Sequence, residues 1–169
     1  MLDKRVRIPM LAGIVMYGLS IVASLLVSLN TKAVLLIFST IEYEEGNVFP
    51  PAIFRSMIIL ALYIAFYFIM RSCNGKSNRL VGIILLIVYC IPGFAGVFFS
   101  YLDNYLLVQK GTEYVVAYSS VSTAISMVTF PFTLIASVLI LAAIGRYGIL
   151  EKEADSEEDN SSSNVYYGG

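Results

Sequence analysis

Four apolar runs, over residues 8–29, 52–70, 80–102 and 121–145, constrain this chain more than any other feature. Each is close to the roughly 20 residues that a helix needs to cross a hydrocarbon layer. A run of that length in lipid finds no water for its backbone N–H and C=O groups, so it must bond them internally as a helix. The sequence therefore predicts an all-α integral membrane protein, a bundle of four transmembrane helices. Composition agrees, because 58% of the 169 residues are hydrophobic and only 14% are charged. A soluble domain could neither bury that many apolar side chains nor cover its surface with so few charges. The connectors are too short to hold a core of their own, so residues 1–150 form a single transmembrane domain.

Lysine and arginine set the expected orientation. Lys4, Arg5 and Arg7 precede the first run, Arg71, Lys76 and Arg79 lie between the second and third, and Arg146 and Lys152 follow the fourth. The other side carries Lys32, Lys110 and Arg55 alone, so the positive-inside rule places both termini in the cytoplasm of a multi-pass protein of the cell membrane. Aromatic residues mark the same interfaces: Phe49, Phe54, Tyr101, Tyr105, Tyr114 and Tyr118 outside, and Tyr147 inside. The basic N-terminus and first run resemble a secretory signal, but the run is too long and lacks a small-residue cleavage site. It is expected to stay as a helix.

After residue 150 the chain becomes acidic and serine-rich, and the expectation for 151–169 is a disordered cytoplasmic tail, with Tyr166 and Tyr167 near its end. Two connectors carry further apolar patches. Residues 33–41 are too short to cross; they either extend the first helix outward or, the favoured reading, lie along the outer interface. Residues 103–120 fit a small hairpin about Lys110 and Gly111, or a helix extension broken at Gly111.

Polar residues near the spans supply the candidate sites. Arg55 sits one turn inside the second run, where an arginine either snorkels to the headgroups, the favoured reading, or turns inward to an acid; Glu42, Glu44, Glu45 and Asp103 are on its side of the membrane. The three glutamates with Gly46 and Asn47 lack the spacing of a calcium loop and read as a solvated turn. In the last helix Ser122, Ser126, Thr129, Thr133 and Ser137 share one face, suited to helix packing or to lining a polar path, with Pro131 freeing a carbonyl among them. The first helix has a similar face through Gly13, Tyr17, Ser20, Ser24 and Ser28, which suggests that these two helices meet each other or a second copy. Pro92, Gly93 and Gly96 predict a kink or a close approach in the third span.

Chemistry has little to work with here. No Asp, Glu, Lys or His lies deep in a span, histidine is absent, and Cys73 and Cys90 fall at different depths. Proton relays, coupling-ion sites, an activated hydrolase nucleophile and the usual zinc or haem ligand sets all lack candidates, so no cofactor is expected. The basic residues are dispersed juxtamembrane charges, which gives no basis for nucleic-acid binding. The expected function is non-enzymatic: an accessory or scaffold subunit that meets a membrane-protein partner or a homo-oligomer within the bilayer through its helix faces and tail. The alternative is a small channel or facilitator for a neutral or weakly polar solute, formed as an oligomer. A third reading makes Arg55 and the acidic turn a sensor of the outer surface.

Overall fold

The structure, a computed structural model, describes residues 2–39, 47–73, 79–108 and 112–164, with side chains described in the last helix as far as Gly148. Five helices follow in order: α1 Lys4–Leu29, α2 Thr31–Phe38, α3 Ala52–Ser72, α4 Arg79–Val108 and α5 Thr112–Asn164. Four of them contain stretches long and apolar enough to cross a membrane: Lys4–Leu29, Ala52–Ser72, Arg79–Asp103 and Thr112–Gly148. Where α1 begins and the apolar part of α5 ends will be called the terminal end; where α2 sits, the loop end.

The backbones of α1 and α5 run side by side, because the residues between them are small. The buried positions of α1 are Val6, Met10, Gly13, Tyr17, Ser20, Ile21, Ser24 and Ser28, which, Ile21 beside Ser20 apart, step by three and four residues and so form one seam. At Gly13 an added Cβ would stand 2.6 Å from Ile140 Cγ1 and 3.2 Å from the Ala136 carbonyl oxygen, so only glycine permits this separation. On α5 the seam uses Ala136, Ile140, Ala143 and Tyr147, all buried. At the terminal end Leu2, Val6, Met10, Ile144 and Tyr147 belong to the main apolar cluster.

The remaining spans attach on either flank, α3 to α1 and α4 to α5. Gly82 of α4 meets α5 closely, its would-be Cβ 3.2 Å from Gly148 Cα. Between α3 and α4 the backbones approach closely at few points. Tyr63 of α3 stacks on Tyr89 of α4 with ring centroids 5.9 Å apart, and takes the ring of Tyr17 of α1 edge-on at 5.1 Å. Backbone separation thus follows side-chain size: serine, alanine and glycine in the central seam, aromatics across the flanks.

At the loop end the structure chooses between the alternatives left by the sequence. A break at Asn30 separates α2 from α1. Rather than lying away from the bundle, α2 continues the packing of α1 along α5: Leu35 joins Val48, Ala117 and Val121 in a second apolar cluster. Burying Leu35 there seats α2 against the start of α5, while Leu36 and Ile37 remain exposed. Thr31 fastens the connector beneath it. Its hydroxyl donates to the Ser28 carbonyl at 2.7 Å and accepts the Val48 N–H at 3.0 Å, and Thr31 itself is fully buried. Residues 103–108 and 112–120 are helical, so the hairpin reading of 103–120 is corrected; Lys110 and Gly111 lie outside the described residues. Apolar β-branched residues such as Val115 and Val116 here extend a helix that already has packing partners, which overrides their strand preference.

The helical backbone of α5 runs on to Asn164, well past its last span-competent residue, Gly148.

Replacing Gly13 by valine should therefore lower stability in detergent by roughly 1–3 kcal/mol, the usual cost of overpacking a tight contact. Gly18→Ala, where a Cβ meets nothing within 4 Å, should leave the melting temperature of the same preparation unchanged.

Candidate functional site

The polar residues nearest the loop end converge on one place. Arg55 is in the first turn of α3, where Pro50 and Pro51 start the helix and the Arg55 N–H bonds back to the Pro51 carbonyl at 3.2 Å. Asp103 closes the apolar stretch of α4. The guanidinium of Arg55 reaches over the gap between the two helices and pairs with the Asp103 carboxylate. It also lies over the ring of Phe99, 5.0 Å from its centroid. Phe99 and Asp103 are four residues apart and thus share a face of α4, offering the arginine one apolar and one charged contact. Tyr118 of α5 stands within electrostatic reach of both charges. Inward pairing is what the structure adopts, in place of the favoured snorkel to the headgroups. Burial explains the choice: the side chains of Arg55 and Asp103 are 25% and 16% exposed, and each charge removed from water this far needs the other. Glu42, Glu44 and Glu45 lie outside the described residues.

This pair is the one ion pair among the described residues. It ties α3 to α4 at the loop end, adding to the contacts these helices make in the main apolar cluster. Phe99 and Tyr118 carry no mark in the sequence that separates them from the other aromatics of the spans. Spacing from Asp103 was the one available signal for Phe99.

The hydroxyl stripe of α5 does not act as a unit. Thr129 is buried, Ser126 is exposed, and Ser122, Thr133 and Ser137 are half-buried. The hydroxyls bond within the helix: Ser126 donates to the Ser122 carbonyl at 2.9 Å, Thr129 to Ile125 at 2.8 Å and Thr133 to Thr129 at 3.1 Å. Ser119, Ser122, Thr123 and Ser126 instead line a shallow groove of about 560 Å³ bounded by Leu107 of α4 and by Tyr118 and Met127. On α1 the serines are buried as spacers. Ser20 donates to the Tyr17 carbonyl at 2.7 Å and Ser24 to the Ser20 carbonyl at 2.8 Å, so neither needs a partner on α5. Ser28 is fully buried and its hydroxyl has no hydrogen-bond partner.

No family model matches the chain, and no curated protein or solved structure proved similar to it. Function must be argued from the geometry itself.

Gly93 and Gly96 of α4 complete the inventory of predicted positions. Nothing stands within 4 Å of a Cβ placed on either, so the close approach suggested by Pro92, Gly93 and Gly96 is unfilled by this chain's own described residues.

Asp103→Asn should destabilise the protein, leaving a half-buried arginine uncompensated, and Arg55→Gln should do so to a similar extent. In a double-mutant cycle read by thermal unfolding in lipid nanodiscs, the pair should show a coupling of about 1 kcal/mol. Additive single effects would place Arg55 and Asp103 apart in the membrane.

Proposed function

We propose that the protein is a non-enzymatic, multi-pass subunit of the cell membrane, with both termini cytoplasmic, that works as an accessory or scaffold through helix contacts with a partner membrane protein. The observation that supports this reading is the coverage of α4. Only 11% of its most apolar window is buried inside the chain, against 33% for α1. Its half toward the loop end is bare on several sides at once, with Phe94, Val97, Phe98 and Tyr101 between 69% and 83% exposed. Lipid can cover apolar side chains, but lipid gains nothing particular from the two open glycines beside Pro92. A helix can use them, because a backbone approached at glycine allows the close van der Waals contact that holds helices together in a bilayer.

The channel alternative draws less support. A solute path needs polar groups with hydrogen bonds to offer, and Ser126, Thr129 and Thr133 direct theirs into their own helix. The acidic tail, in this reading, is a solvated cytoplasmic segment that adds contacts to soluble proteins.

Photo-crosslinking in cells tests the proposal. A benzophenone amino acid at Phe94, Val97 or Tyr101 should give a discrete protein adduct, several-fold above the yield at Val15, which is 61% exposed on α1. Equal and uniformly low yields at all four positions would mean that lipid covers α4 as it covers α1, and the proposal would fail.

A further inference from the structure

We propose that the terminal end of the α1–α5 seam is a binding site for the phosphate of an anionic phospholipid. The starting point is a conflict in the first turn of α1. Lys4, Arg5 and Arg7 stand there with no acid among them, at the helix end whose aligned N–H groups already carry positive potential. The one nearby carboxylate, Asp3, is engaged as the helix cap, accepting the Arg5 N–H at 2.8 Å. Cations are placed where the helix field repels them.

A fourth cation is brought to the same spot by the packing of the two helices. Pro9 has no N–H, so the carbonyl four residues before it, that of Arg5, lacks its helical donor. Arg146 of α5 supplies one: its Nη1 donates to the Arg5 carbonyl oxygen at 3.2 Å. Burial of Val6 and Met10 against Ile144 and Tyr147 sets the two helices at the distance this bond needs. The bond fixes the Arg146 guanidinium beside the first turn while leaving its other N–H donors available, and Lys4, Arg5 and Arg146 are all exposed. Among the described residues no acid pairs with any of these four cations, since the one ion pair is Arg55–Asp103 at the opposite end.

Position selects the ligand. The cluster lies where two spans, Lys4–Leu29 and Thr112–Gly148, leave the apolar layer together, the depth at which phospholipid phosphates sit. Arginine presents a planar fork of donors that matches phosphate oxygens two at a time, and an anion here would also relieve the repulsion at the start of α1. Negative charge on the lipid is what the site reads; the acyl chains would follow the exposed sides of Ile8 and Leu11. This inference is independent of the α4 proposal.

Native mass spectrometry of the full chain, released from micelles that contain equal phosphatidylglycerol and phosphatidylcholine, tests it. The full chain is used so that the acids from Glu151 onward, whose charge opposes that of the four cations, are present. The expected result is retained phosphatidylglycerol at five-fold or more over phosphatidylcholine, falling to near parity in Arg5→Gln/Arg7→Gln/Arg146→Gln. Arg71→Gln, a cation of the α3 end, should keep the preference. Helicity by circular dichroism checks that each variant is folded, and Arg146→Lys, which retains the charge, covers the case in which the triple variant does not fold: it should weaken the preference without abolishing it. Equal retention of both lipids by the native chain, an unchanged preference in the folded triple variant, or binding of inorganic phosphate with no preference between the lipids would overturn the assignment.

Discussion

Everything in this molecule hangs on the close approach of α1 and α5. Two helix backbones can come this near only if the side chains between them are small, and the contact at Gly13 with Ala136 and Ile140 leaves no room even for a methyl group. In lipid, where apolar side chains are solvated on every face, a tight van der Waals contact of this kind is what distinguishes one helix neighbour from another. The serines of α1 suit the seam for the same reason. Ser20 and Ser24, by donating to carbonyls of their own helix, behave as small, satisfied spacers that need no hydrogen bond from the other helix.

The two outer spans depend on that seam without completing it. With α3 on α1 and α4 on α5, the four spans form an open arrangement whose outer members touch through Tyr63 and Tyr89 and through Arg55, Asp103 and Phe99. Charge has a structural task here. One arginine and one aspartate, each too buried to leave uncompensated, add a charged tie between helices whose backbones approach closely at few points. The same openness exposes α4, and exposure beside unfilled glycines is why a partner helix is the reading of its function offered above. At the other end a similar economy operates: Pro9 frees a carbonyl in α1 and Arg146 answers it from α5.

Much of this was legible in the sequence because membrane spans declare themselves by length and apolarity, independent of periodicity. The face of α1 was legible too, since serine and glycine stand out against leucine and isoleucine. On α5 the conspicuous residues marked only part of the contact. The hydroxyl stripe contributes one buried residue, Thr129, whereas the other buried positions are Ala117, Val121 and Ala124 before Pro131 and Ala136, Ile140, Ala143, Ile144 and Tyr147 after it. Alanine and isoleucine serve equally against lipid and against protein, so their pattern carried no signal. Arg55 was recognisable as a residue in need of a partner, but its choice between headgroups and Asp103 turned on a distance between helices that no single chain segment encodes. The Thr31 clip at the loop end was hidden for the same reason, as its partner Val48 comes from the far side of the connector.

The central claim, that α1 and α5 form the seam from which the other spans hang, is tested most directly by a cysteine pair across it. In a Cys73→Ser/Cys90→Ser background, Met10→Cys with Ile140→Cys or Ile144→Cys, buried positions of one cluster where cysteine removes bulk and adds none, should close an intramolecular disulfide on mild oxidation in native membranes, detected as two fragments held together after cleavage in the connector between the second and third spans. Failure of the pair to close while the protein remains folded, or closure only between separate chains, would show that α1 and α5 are not neighbours within one molecule.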